Sequence, residues 1–125
     1  MKYRLTGDKP PQHSFNEVKG ELKLNPGSQD LGRFNITMEL LNSRVDHKDY
    51  MCDKSAWGIE LCKRVGSENF KLLFDIYHMQ RNEGNLIANM NRCWDEIAYI
   101  QIGDNPGRKE PGTGEVNYQN IFKHL

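Results

Sequence analysis

Disulfides are the first thing this chain does not support. It has three cysteines, Cys52, Cys62 and Cys93. An odd count without close pairing argues against a disulfide framework and suits a reducing cytoplasm. There is no C-x-x-C, so a structural zinc is not expected, and the thiols read as small apolar fillers. Net charge is also lacking: 17 basic residues balance 17 acidic ones. That leaves no global electrostatic case for nucleic acid or for an anionic membrane. Apolar residues make up 37% of the chain and the mean hydropathy is −0.78, so the core must be modest. No apolar run approaches the roughly 20 residues that span a bilayer. The N-terminus, Met1-Lys2-Tyr3-Arg4-Leu5-Thr6-Gly7-Asp8, lacks the apolar centre of a secretory signal.

What is present divides at about residue 33. Residues 1–33 hold Pro10-Pro11, Pro26-Gly27 and few large apolar side chains. Ser14-Phe15-Asn16-Glu17 has capping-box spacing, with Val18 and Leu22 four apart, so one short helix is conceivable there. A polar, loosely ordered leader is the preferred expectation. From residue 34 the pattern changes. Asn35 to Leu41 reads as a strand, β-branched at its start, and its Glu39 must be paired, metal-bound or turned to solvent at an edge. Asn42 to Cys52 is a polar loop carrying Asp46 and His47. Asp53 is a candidate N-cap for a helix over about 54–65, with Ala56, Ile59, Cys62 and Val65 as its stripe and Gly66 as its C-cap.

Phe70 to Asp75 reads as a buried strand, with His78 on the loop after it. A second helix is expected near Asn85–Trp94, with Leu86, Ile87, Met90, Cys93 and Trp94 buried. Ile97 to Ile102 is a third strand, interrupted by Gln101, whose amide needs partners if buried. A long loop rich in Gly and Pro, Gly103–Gly114, suits a lid or clamp. Its Arg108 could hold a carboxylate or phosphate, or be simply solvated. Asn117 caps a last helix from Tyr118 to Leu125. Strand and helix alternate three times, the grammar of parallel βαβ units. Glu39, Asp75 with His78, and Gln101 with Asp104 all fall at or near strand ends. In a parallel sheet those ends converge. Oxygen donors of this kind suit Mg²⁺ or Mn²⁺ better than zinc.

Three stretches carry a resemblance. Met38-Glu39-Leu40-Leu41-Asn42-Ser43, Phe74-Asp75-Ile76-Tyr77-His78-Met79-Gln80, and Tyr99 through Arg108 followed by Glu110 through Tyr118 resemble the hydroxypyruvate isomerase family. That family belongs to the xylose isomerase-like TIM barrels, with the tagatose and psicose 3-epimerases as relatives. The resemblance covers about residues 34–125 and not the leader. It implies that Glu39 is a metal ligand and one of two acid/base carboxylates. Asp75 would bind the metal, and Gln101 would stand at the third ligand position. His78 and Arg108 would touch substrate oxygens. The implied chemistry is proton abstraction beside a carbonyl in a small hydroxy-keto acid or ketose, through a metal-stabilised enediolate.

By the same pattern the chain holds strands five, six and seven of an eight-stranded α/β barrel. Strands one to four, and the last strand with its second Glu, are not matched. A partial or rearranged barrel is therefore expected, its open flank covered by the leader or by association into oligomers, or else left uncovered in a fragment of marginal stability. The alternative to an isomerase is a non-catalytic βα fragment that serves as an assembly or interaction module. An endonuclease of the same superfamily acting on abasic DNA would need more histidine ligands and a basic groove. Four histidines and zero net charge speak against it.

Overall fold

The computed structural model describes residues 35–125 throughout and, before them, three strands. These are β1 (Tyr3–Thr6), β2 (Gln12–Asn16) and β3 (Glu21–Asn25). Then come β4 (Asn35–Glu39), α1 (Ser55–Val65), β5 (Phe70–Asp75), α2 (Ile76–Asn82), α3 (Leu86–Cys93), β6 (Ile97–Gln101) and α4 (Tyr118–His124). A short 3-10 turn, Trp94–Glu96, joins α3 to β6.

The three expected strands form, and they run parallel in the order β4, β5, β6. Each is connected to the next through helix on one side of the sheet, as parallel pairing requires. β1 lies antiparallel along the outer side of β4, with Tyr3 opposite Met38 and Thr6 opposite Asn35. The sheet is thus mixed at that edge. β2 and β3 form a separate antiparallel pair, which takes residues 14–16 and Leu22, the two ends of the short helix allowed there, into strands; residues 17–20 between them lie outside the described residues. The expected loose order of the leader falls largely on residues 7–11, 17–20 and 26–33, which lie outside the described residues.

β5 is central, and from Leu72 to Asp75 it is buried on both faces. Leu72 and Phe74 face the helices and join Met38, Leu40, Ile76, Met79, Met90 and Cys93 in the core. α1 approaches this layer through Gly58. A Cβ there would stand 3.0 Å from the Leu40 and Leu72 methyl groups. The buried face of α1 is consequently Ser55, Gly58 and Cys62. Ala56 and Val65, expected in the stripe, are exposed, because close approach selects the face with the smallest side chains. Trp94 also departs from expectation. α3 ends at Cys93, and the tighter turn that follows swings Trp94 outward to 47% exposure.

The helix ends show what local reading misses. Lys54, not Asp53, is the N-cap of α1, and its side chain makes no capping bond. The cap comes from a distant residue instead: the Ser55 amide donates to Glu83 Oε2 at 2.8 Å. Asp53 accepts from the Ser43 hydroxyl. Gly66 does close α1, at φ 66°, and Asn117 does cap α4 by accepting from the Asn120 amide. All three cysteines are free and buried. Burial pushes their thiols up to about 12 (Cys52) and about 11 (Cys62 and Cys93), which suits inert fillers. Among the described residues no helix is long and apolar enough to cross a membrane.

Candidate metal and substrate site

Glu39, Asp75 and Gln101 are each the last residue of a parallel strand. Asp75 is the register partner of Gln101, and Glu39 that of Leu73, two residues before Asp75. Side chains alternate faces along a strand, so the three polar residues share one face at one end of the sheet. That face is opposite the helices. The convergence expected from the sequence is therefore a matter of register, and Leu40 extends it by donating its amide to the Leu73 carbonyl at 3.1 Å.

α2 begins directly after Asp75, where a loop was expected. The Asp75 side chain caps it, accepting from the Tyr77 amide at 2.9 Å and the His78 amide at 3.4 Å. An acid that ends a strand and starts a helix turns His78 back over its own carboxylate. His78 Nε2 lies 3.7 Å from Asp75 Oδ2 and 3.9 Å from Glu39 Oε1. One ligand atom from each of the three residues lies within 4.8 Å of the others. Glu39 is steadied from behind, since the Tyr50 hydroxyl donates to its carbonyl at 2.8 Å.

Asp75 is 1% exposed. Burial raises its pKa, and the nearby Arg108 charge and the two cap amides pull against that rise. Arg108 Nη2 donates to Asp75 Oδ2 at 2.8 Å, and the guanidinium lies 5.2 Å from the centre of the Tyr77 ring. The sequence-predicted substrate contact thus sits on the sequence-predicted metal ligand.

The loop that delivers Arg108 is a clamp with fixed ends. The Tyr118 hydroxyl donates to the Gly103 carbonyl and accepts from its amide, at 2.8 and 3.0 Å. Asp104, completely buried, gathers the loop around its carboxylate. Oδ1 accepts from Asn105 and Val116, and Oδ2 from Gly112. Burial raises the Asp104 pKa, but its backbone amide donors outweigh that, and the net shift is downward. Asp104 is therefore an organiser of the loop and does not join the cluster. Asp46 does not join it either. It takes hydrogen bonds from Asn42 Nδ2 at 2.8 Å and from the Tyr77 hydroxyl at 3.1 Å.

A family model described as Xylose isomerase-like TIM barrel matches residues 35–125. The chain belongs to that family. Among curated relatives, hydroxypyruvate isomerase of Escherichia coli (strain K12) is 52% identical over 65 residues, which is 52% of this chain and 25% of that protein. The 2-oxo-tetronate isomerase of Cupriavidus necator is 38% identical over 88 residues, 70% of this chain and 34% of that one. Solved structures share the fold over this stretch. An AP endonuclease, family 2, from Brucella melitensis has a TM-score of 0.65 at 32% identity, over 70% of this chain and 33% of that chain. A D-psicose 3-epimerase crystallised in the presence of D-fructose has a TM-score of 0.66 at 26% identity, over 78% and 32%. The chain spans about a quarter to a third of the length of these proteins.

As a piece of a xylose isomerase-like barrel, the sheet acquires an inside and an outside. In such a barrel the helices lie outside and the opposite sheet face lines the interior, so Leu72 and Phe74 stand on the face that corresponds to the outside and Glu39, Asp75 and Gln101 on the one that corresponds to the inside. The donors that the fold brings together are two carboxylates and an imidazole, and Gln101 ends the neighbouring strand on the same face; carboxylate and amide oxygens suit a hard divalent cation. Asn42, Tyr77 and Arg81 around His78 had no role in the sequence reading. Nothing local marks Asn42 except that a buried amide must be satisfied, and its burial is known only from the fold.

Proposed function

We propose that this chain carries part of the active site of a sugar or keto-acid isomerase of the hydroxypyruvate isomerase kind. Its substrate is a small hydroxy-keto acid or ketose, and Mg²⁺ or Mn²⁺ is held by Glu39, Asp75 and Gln101. The single observation that carries this reading is the meeting, within 4.8 Å, of Glu39 and Asp75 from the ends of adjacent parallel strands with His78 from α2. A bound cation would supply positive charge against the negative charge that develops on the substrate oxygen.

The chain's own residues do the rest. Glu39 removes a proton from the carbon beside the carbonyl, and the electron pair moves to the carbonyl oxygen as an enediolate forms. His78 and Arg108 hold the substrate oxygens. Return of the proton to the neighbouring carbon, with the hydroxyl proton passing to the former carbonyl oxygen as the new carbonyl forms, completes the isomerisation. Arg108 is half exposed, so its guanidinium faces both the buried Asp75 carboxylate and the solvent side from which an anionic substrate would arrive. The free, buried thiols support a cytoplasmic setting.

Isothermal titration with Mn²⁺, on the wild type and on a Glu39→Gln/Asp75→Asn double variant, tests the site. Heat of binding in the wild type and none in the double variant is the expected result. Negligible binding by both would remove the metal site. A second reading, a non-catalytic βα module, is favoured by one observation: the Arg108 guanidinium donates to the buried Asp75 carboxylate, a pairing that a purely structural role would also explain. It requires no turnover of hydroxypyruvate or ketoses, together with oligomers by light scattering. A monomer with measurable isomerase activity would overturn it.

A further inference from the structure

Deepening that site, and resting on its assignment as an isomerase centre, we infer that Asn42 is a positioning residue that locks His78 in its Nε2–H tautomer, so that the imidazole can only donate into the Glu39–Asp75 cleft. Asn42 is completely buried. Its Oδ1 accepts from two backbone amides, Asp46 at 3.0 Å and Val45 at 3.3 Å. That fixes the orientation of the amide, because a flipped group would set its NH₂ against two N–H donors. Nδ2 therefore holds both hydrogens, and two acceptors face it. One is Asp46 Oδ2 at 2.8 Å. The other is His78 Nδ1 at 2.7 Å.

The direction of the first bond is secured independently. A carboxylate accepts only, and Asp46 Oδ2 also takes the Tyr77 hydroxyl proton at 3.1 Å. The Tyr77 oxygen in turn accepts from Arg81 Nη1 at 2.5 Å. The side chains Arg81, Tyr77 and Asp46 thus form a chain with one possible direction of donation. With the network so ordered, a proton on His78 Nδ1 would confront an NH₂ donor that has no lone pair to offer. The neutral ring must carry its proton on Nε2, the nitrogen 3.7 Å from Asp75 and 3.9 Å from Glu39.

The consequence is chemical. An Nε2–H cannot ligate a metal ion, so His78 is set apart from Glu39 and Asp75 although all three cluster. It is a hydrogen-bond donor whose partner must be an acceptor, and a carbonyl or alkoxide oxygen of the substrate is the complementary group. Asn42, by this account, acts on the reaction through His78 and never touches the substrate.

Long-range ¹⁵N–¹H correlation on the full chain, labelled with ¹⁵N-histidine, reads the tautomer directly. The His78 signals are assigned by their loss in His78→Gln, at a pH where the ring is neutral. The wild type is expected to show Nδ1 unprotonated and Nε2 protonated. Asn42→Asp, similar in size, presents an acceptor oxygen to Nδ1 and is expected to make Nδ1 the protonated nitrogen. A wild-type spectrum with a protonated Nδ1 would overturn the inference, whether or not the variant folds. So would a folded Asn42→Asp chain whose Nδ1 stays unprotonated. The readout needs neither metal nor turnover. An absent isomerase activity with the expected spectrum therefore sinks the functional reading alone.

Discussion

Asp75 carries three tasks at once: last residue of β5, N-cap of α2 and candidate metal ligand. The tasks conflict energetically, because burial raises its pKa even with Arg108 beside it. A carboxylate pKa raised on folding contributes stability below the ordinary value of 3.8, and that contribution is lost as pH rises through the raised value. Near neutral pH the ionised Asp75 is thus a net cost. Asp75→Asn keeps a capping oxygen and leaves Arg108, itself half exposed, free to rehydrate. The metal-free variant should melt higher at pH 7, by on the order of 1 kcal/mol or about 4–8 °C. It should lose that advantage in acid. Thermal scans by circular dichroism at several pH values check this, and a variant melting below wild type at pH 7 would mean that the Arg108 pair outweighs burial. The acid and the histidine were legible as candidates from their place at a strand end, and the arginine from the Gly- and Pro-rich loop that carries it. Their mutual geometry was not, because Arg108 is 33 residues from Asp75 and nothing local tells which oxygen it will meet.

At the scale of elements, the Gly103–Gly114 loop behaves as a built part. Asp104 is its centre, and the amides it accepts lower its pKa against the effect of burial. Here the sign is opposite to Asp75. The contribution is present above the ordinary value of 3.8 and is lost as pH falls through the lowered one. Asp104→Asn should therefore flatten the acid limb of the stability curve, read by unfolding in urea at stepped pH values below 4. An unchanged acid limb would place the acid sensitivity elsewhere. Gly114 tests the same part sterically. A Cβ there would stand 2.2 Å from the Asn105 carbonyl oxygen, a distance no side chain tolerates, so the loop must shift. Gly114→Ala should cost about 1–3 kcal/mol and displace Arg108, with urea unfolding as the measure. Gly and Pro content marked this segment as a loop. That it is pinned at both ends by a buried acid and by the Tyr118 hydroxyl follows only from the folded chain.

For the whole molecule, the matched domain is small and its core modest, so binding energy weighs heavily in its stability. If Mn²⁺ binds the folded chain alone, a concentration 100 times Kd adds about 2.7 kcal/mol, or a rise on the order of 10–20 °C in the melting midpoint. Melts in Mn²⁺ and in EDTA are compared, and superimposable curves would count against a folded metal site. The same sheet has β1 along β4, an antiparallel strand where a regular barrel has a parallel neighbour. The order of the leader's residues, polar and poor in periodicity, did not announce this pairing. A lone strand of four residues has too little pattern to distinguish it from loop.

Alternating apolar segments, turn residues and the acids at strand ends determined the βα order, the parallel pairing of β4, β5 and β6, and the candidates Glu39, Asp75, His78, Gln101 and Arg108. These are properties of near neighbours in the chain, where side-chain period and capping chemistry act over a few residues. Tertiary structure decided the rest. It chose the small-residue face of α1, gave that helix its cap from Glu83, set Arg108 on Asp75, and closed the Asn42–Asp46–Tyr77–Arg81 network behind His78. Each of those contacts joins residues whose separation in the sequence carries no signal, and each depends on which polar groups the fold has already removed from water.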